Sequence, residues 1–352
     1  MNTRDLSLFF DAHKQRQAPL VLATVVETQG STYSKAGALM LIDEQGIFQG
    51  MLSGGCLEGD LAIRAQVVLE SGRPQLLTYD LAADNDELWG LGVGCDGLMK
   101  VLLQPLADAQ AYEPLVTILA TLNGDVAAVV ATSVESSLPS VPIAATVVYT
   151  NAKTSVFGPD EASAENIVDN AARLLAGGEK TQQRIIADDG EALVVHRLIR
   201  PAPKLLVLGG GLDAEPLVRY STDVGWTCTI VDHRPAYIAK GDFAAADRII
   251  CCTVDELPAN VELESFDAAV VMSHHLASDR GYLAHLAGTS MAYIGLLGPL
   301  GRRERLLSEL GTIGATLGDR LHGPAGLDIG GRGPAAIAMS IVAQLQQLLA
   351  RD

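Results

Sequence analysis

The chain has 352 residues, room for about two domains. Hydrophobic residues make up 48% and charged residues 19%, with a mean hydropathy of +0.24, a balance far from that of disordered chains. The formal net charge of −17 and pI near 4.7 exclude a general grip on nucleic acid or on an anionic membrane surface, because either needs a large basic face.

Five cysteines, at 56, 95, 228, 251 and 252, are an odd count in a long chain and do not make the paired framework of a small secreted domain. Reduced thiols and a cytoplasmic location are therefore expected. Met1 to Gln17 contains Arg4, Asp5, Asp11, His13, Lys14 and Arg16 and no continuous apolar stretch, so neither a signal peptide nor an anchor is read there. No later run reaches the ~18 apolar residues of a spanning helix.

In chain order, Pro19 to Glu27, Ala38 to Ile42 and Ile47 to Leu52 read as strands punctuated by Gly30, Gly37 and Gly46, and Leu57 to Leu69 shows helical spacing. Between them lie Thr28-Gln29-Gly30-Ser31-Thr32-Tyr33 and Ser53-Gly54-Gly55-Cys56-Leu57-Glu58-Gly59. Thr78 to Tyr79 and Leu98 to Leu103 add strand material after a second glycine-bounded cysteine, Gly92-Val93-Gly94-Cys95-Asp96-Gly97. A thiol at a helix start ionises more easily, because the free N–H groups and the dipole favour the thiolate, and small neighbours leave it open. Cys56 meets that condition. A thiolate is a soft ligand suited to a soft metal or to sulfur handling, whereas structural zinc calls for four ligands in recognisable pairs, which are missing here. The competing reading makes both cysteines small residues packed in tight turns. Asp125 to Val134, Ile143 to Tyr149 and Glu191 to Ile199 read as further strands, and Asp160 to Leu175 as a helix.

Arg200-Pro201-Ala202-Pro203 marks the expected boundary, dividing the chain into 1–200 and 201–352. Downstream, the predicted order is strand Leu205 to Leu208, helix Ala214 to Asp223, and strands Thr227 to Val231, Arg248 to Cys251 and Ala268 to Met272. Helix Arg280 to Leu286, strand Ala292 to Leu296, helix Arg303 to Leu310 and helix Pro334 to Leu349 follow. Such alternation predicts an α/β fold with a parallel sheet covered on both faces.

Gly209-Gly210-Gly211-Leu212-Asp213-Ala214 fits G-x-G-x-x-A between a predicted strand and a predicted helix, the context of a dinucleotide-type turn. Gly209 allows the tight turn, Gly211 lets backbone approach a phosphate, and Asp232 at the end of the next strand can accept from ribose hydroxyls. A glycine turn with a packing role only is the alternative, and Asp213 favours it by repelling phosphate. Ser273-His274-His275 follows a strand end and so faces the ligand crevice of an open α/β sheet. Two adjacent histidines cannot both point into it, and one is expected to bond backbone. Arg302 and Arg303, at a helix start, serve either as a phosphate grip or as a solvated face.

Taken together, TQGSTYSKAGALMLI, SGGCLEGD and GVGCDG in the first half, and LLVLGGG, VDHRP, MSHH, YIGLLGP and GLDIGGRGPAAIAMSIVAQL in the second, resemble the xanthine dehydrogenase accessory factor family, XdhC/CoxI. Pro105 to Val195 carries no motif of the set. The resemblance implies an N-terminal family domain followed by a Rossmann-type domain. It also implies a cytoplasmic, homodimeric chaperone that binds molybdenum cofactor (molybdopterin, with or without an added nucleotide). Such a chaperone protects the cofactor while a cysteine desulfurase supplies its sulfido ligand, and delivers it to a xanthine dehydrogenase-type hydroxylase. Carried over to this sequence, Cys56 and Cys95 become the candidate molybdenum or sulfur contacts. Ser53, Gly54, Gly55, Glu58 and Gly94 line their loops, while Gly209, Gly211 and Asp232 form the nucleotide-type pocket, to which His274 is added from its place after the strand end. The family often has GCGG where this chain has Gly94-Cys95-Asp96-Gly97, and GAGH where it has Gly209-Gly210-Gly211-Leu212. Two further readings stand beside the chaperone: an NAD(P)-dependent oxidoreductase using Asp232 and His274, and a nucleotide-sensing regulatory subunit.

Overall fold

The computed structural model describes residues 3–80, 97–179 and 181–349. The chain divides into two compact units, Met1–Pro201 and Ala202–Asp352.

In the first unit, α1 (Thr3–Lys14) buries Leu6, Phe10 and His13, one stripe at helical spacing. Strands β1 (Leu20–Gly30), β2 (Leu39–Asp43) and β3 (Phe48–Gln49) come next, then α2 (Glu58–Ser71), β4 (Gln75–Asp80) and β5 (Gly97–Leu106). They form one sheet of order β3-β2-β1-β5-β4, antiparallel at every pairing. The strand expected over Ile47 to Leu52 shrinks to two residues because Gly50, at φ +105°, presses so close to β2 that a Cβ would meet the Leu39 carbonyl.

Helix α3 (Leu115–Leu122) leads to the second sheet, made of β6 (Ala128–Ser136), β7 (Thr146–Tyr149) and β8 (Thr154–Phe157), then, after α4 (Glu161–Leu175), β9 (Gln182–Ala187) and β10 (Gly190–Ile199). Its order is β8-β7-β6-β10-β9, again antiparallel. Asp160 caps α4 by accepting from the Ser163 N–H. One face of the first sheet packs under α2 through Val21, Ala23, Leu61, Ala65 and Val68. The other face, with Leu20 and Leu22, meets Ala128 and Val130 of the second sheet, together with α1 and α3.

The second unit alternates strand and helix: β11 (Lys204–Leu208), α5 (Ala214–Asp223), β12 (Thr227–Asp232), α6 (Pro235–Lys240), β13 (Arg248–Cys251), α7 (Leu257–Asn260) and β14 (Ala268–Val271). It continues with α8 (Leu276–Ala287), β15 (Tyr293–Leu296), α9 (Leu300–Leu310), α10 (Thr312–Leu317), β16 (Leu321–His322) and α11 (Pro334–Leu349). The sheet is parallel throughout, of order β13-β12-β11-β14-β15-β16. Every residue of β14 and β15 is buried, as expected where helices cover both faces. One core lies under α8 and α9 and the other under α5 and α11. The strand order reverses between β11 and β14, and that switch point opens the ligand crevice of such folds. Among the described residues, no helix is long and apolar enough to cross a membrane, and Cys56, Cys228, Cys251 and Cys252 are free thiols.

Candidate functional site

The turn before α2 is shaped by its glycines and held by the first residue of the helix. Gly54 and Gly55 lie at φ +76° and +106°, where a side chain would be strained. The Glu58 carboxylate reaches back over the turn. Its Oε1 accepts from the Leu52 and Ser53 N–H groups, both at 2.8 Å, and its Oε2 from Gly55 N–H at 2.9 Å and from the Ser53 hydroxyl. Ser53 Oγ in turn accepts from Leu57 N–H at 2.7 Å. Glu58 is only 2% exposed. Burial alone would raise its carboxyl, but the Ser53 hydroxyl and the Ser53 and Leu52 amides outweigh it and hold Glu58 below the usual carboxylate range. Ser53 and Glu58, read from the sequence as ligand contacts, are therefore engaged within the loop, and Cys56 is left half-buried beside the core under α2.

The TQGSTY run shares this end of the sheet. Tyr33 lies against Gly54, where a Cβ would stand 3.1 Å from its ring, and Ser34 Oγ donates to the Met51 carbonyl at 3.2 Å. Gly97 pairs with Gly30 and leaves no room for a Cβ beneath the Ser31 carbonyl. The first two motif loops and the last residue of the third thus converge. Gly94 and Cys95 lie outside the described residues. Among the described residues, no group of three or more His, Cys, Asp or Glu side chains is placed to hold a metal ion.

The crevice of the second unit is built on the same principle. Gly209, at φ +124°, passes so close to β14 that a Cβ would lie 2.6 Å from the Met272 carbonyl, so this glycine is required by packing. Asp232 is buried, and its carboxylate is held by its own neighbours. Oδ2 accepts from Gly210 N–H and Arg234 Nη2, both at 2.6 Å, and Oδ1 from Arg234 N–H at 2.8 Å and Nε at 2.9 Å. Burial alone would raise its carboxyl, but the Arg234 guanidinium and the Gly210 amide outweigh that and hold it low. The acceptor that a ribose diol would use is already filled. His274, at φ +60°, pairs through Nε2 with Asp213 at 2.9 Å, and its ring lies over Gly211, where a Cβ would stand 3.6 Å away. His275 instead caps α8, accepting from Ser278 N–H. Leu212 is 77% exposed.

Two residues that sequence reasoning missed complete the frame. Asp279, fully buried, accepts from the Ser273 hydroxyl and from Arg302 Nε at 3.0 Å, and Arg234 holds Asp232 as described above. The signal for Arg234 lay in Asp232-His233-Arg234, an acid and a base two residues apart. Of the arginine pair, Arg302 is thus engaged. Arg303 packs against Gly323 and has a buried Nε without a hydrogen-bond partner among the described residues, beside His322.

Comparison with known proteins matches two family models, the XdhC and CoxI family over residues 13–80 and the XdhC Rossmann domain over residues 205–345. The chain is 31% identical over 339 residues to a probable xanthine dehydrogenase subunit of Bacillus subtilis, covering 96% of this chain and 95% of that protein. It is 32% identical over 103 residues, 29% of its length and 30% of the relative's, to the molybdenum cofactor insertion chaperone PaoD of Escherichia coli. A crystal structure of a xanthine dehydrogenase from Bacillus halodurans superposes with a TM-score of 0.80 at 30% identity, covering 99% of this chain and 96% of that one.

Proposed function

Because this chain belongs to the XdhC and CoxI family, we propose that it is an accessory protein that holds molybdenum cofactor and hands it to a molybdenum hydroxylase of the xanthine dehydrogenase type. A relative named for cofactor insertion and another named as part of a xanthine dehydrogenase support this reading. The observation that carries it is Cys56, a partly open thiol on a turn whose hydrogen-bonding groups are otherwise held by Glu58. The donor set fits the group: a thiolate is a soft ligand for molybdenum, and bare glycine backbone leaves room for a bulky guest. When bound, the cofactor would supply the metal and the terminal ligand that the client needs. This chain's residues would hold it at Cys56 and shield it from water, with Cys95 as a second thiol.

The finer reading has a cysteine desulfurase exchanging the terminal ligand for sulfide while the cofactor rests on this chain, which acts as a homodimer in the cytoplasm without turnover of its own. An oxidoreductase using NAD(P) is the weaker alternative, because the carboxylate of Asp232 is filled by Arg234 and Gly210. The test is anaerobic purification of the full chain from a cofactor-producing host, with molybdenum and pterin measured per chain. The expected result is bound cofactor in the parent protein and its loss in Cys56→Ala. Equal pterin in both, or none in either, would sink the proposal. A fixed stoichiometric complex with the hydroxylase through every purification step would favour a permanent enzyme component.

A further inference from the structure

The surface on which the two sheets of the first unit meet is apolar on either side of one polar interruption. Leu20 and Leu22 of β1 pack with Val130 and Ile199 in one cluster, and Val26 packs with Leu102, Val134 and Val195 in another. Between the two clusters Thr24, Thr132 and Arg197 line a cavity of about 330 Å³, within the size range of small-ligand pockets. On β10, Arg197 stands opposite Val130 and Val195 opposite Thr132, so strand alternation puts the guanidinium on the face turned towards the first sheet.

A cation held there without an anion is costly. The buried Nε of Arg197 has no hydrogen-bond partner among the described residues. Burial alone pushes the guanidinium down, to about 10, which leaves it charged at neutral pH. Glu27 also lines the cavity, but Lys100 holds it at 3.0 Å. The backbone is shaped to admit the arginine, since Gly37 lies at φ +108° and a Cβ on it would stand 2.7 Å from Arg197 Cδ. Both flanking strand pairs break register beside the cavity, β1 between Val25 and Glu27 and β10 between Leu193 and Val194. Such bulges re-aim side chains at binding sites.

We propose that this cavity binds a small organic acid, its carboxylate on the Arg197 guanidinium beside the Thr24 and Thr132 hydroxyls, and its hydrocarbon part against Val26, Val130 and Val195. An arginine fork suits a carboxylate, and the aliphatic walls select an acid with an apolar body over inorganic phosphate. The site stands independently of the cofactor reading.

The test is calorimetric titration of the full chain with acetate, butyrate, succinate and inorganic phosphate, alongside thermal unfolding. The expected result is saturable carboxylate binding, with butyrate tighter than acetate and phosphate weaker than both. Arg197→Met should weaken binding by roughly tenfold or more, the loss of a charge-assisted pair. Without ligand it should unfold no earlier than the parent, because a buried unpaired charge is gone. Val195→Phe keeps the arginine and fills the cavity, and it should also abolish binding. Cys56→Ala should bind as the parent does, which separates this site from the cofactor reading. Absence of any saturable carboxylate response, parent-like affinity in either Arg197→Met or Val195→Phe, or a preference for phosphate would overturn the assignment.

Discussion

In the first unit the carboxylate that grips the glycine turn sits five residues after Ser53, on the helix that the turn begins, whereas in the second it comes from the end of the neighbouring strand, 22 residues from Gly210. Glu58 takes three amides and a hydroxyl and needs no countercharge, while Asp232 takes two amides and a guanidinium. The local grip fixes its loop as soon as α2 forms and leaves the thiol outside the bonded set. The long-range grip exists only when β11 and β12 are paired, and it withdraws the acid from any ligand. An acid near a glycine turn is thus a brace when the turn's own N–H groups already point at it.

The strongest way to break this comparison is Glu58→Ala, which leaves three amides and Ser53 without their acceptor. It should cost about 3–4 kcal/mol in urea unfolding, and Glu58→Gln about half of that. A loss under about 1 kcal/mol would show that the turn holds itself. Asp232→Asn should cost less, about 2 kcal/mol, because the partly exposed Arg234 can turn to water. Unfolding followed by tryptophan fluorescence in a Trp89→Phe background, which leaves buried Trp226 alone, would report it from the second unit.

The units should also differ in acid. Both braces are held below their ordinary range, so the stability they contribute is full above the usual carboxylate values and is lost as pH falls through the folded ones. The second unit adds His322, lowered from its ordinary 6.5 by burial and then by Arg303. Protons favour its unfolded form, so stability begins to fall as pH drops below about 6.5, before either carboxylate titrates. Thermal scans from pH 8 to about pH 5 should lower the Trp226 transition, and His322→Gln should remove that slope. The smallest expected effect is that of Asp213→Ala. Its partner His274 is mostly exposed, and stability should change by no more than about 0.5 kcal/mol.

Much of the second unit was legible because its signals are local. The α5 span, Ala214–Asp223, follows from apolar spacing, and α11 from the proline at its start. In the first unit α3 escaped notice, since Leu115–Leu122 is apolar nearly all round, carries no side-chain cap and shows neither period clearly. The antiparallel pairing of both first-unit sheets was likewise unreadable, because strand order depends on contacts far apart in the chain. At the site, Cys56 and its glycines stood out by composition, but the direction in which Glu58 and Asp232 point did not. Arg197 was hidden for the opposite reason: in Glu191 to Ile199 it looks like an ordinary polar position of a half-exposed strand.

Two of the three sheets end on one side in a stub: β3 and β16 are each two residues long. An intruding chain would find almost no free ladder at those margins, so strand-to-strand polymerisation is blunted there without a covering helix. Among the margins that remain, six-residue β9, where Ile186 faces water two residues from Arg184, is then the place where a partly unfolded population would begin to stick, with the arginine as its gatekeeper.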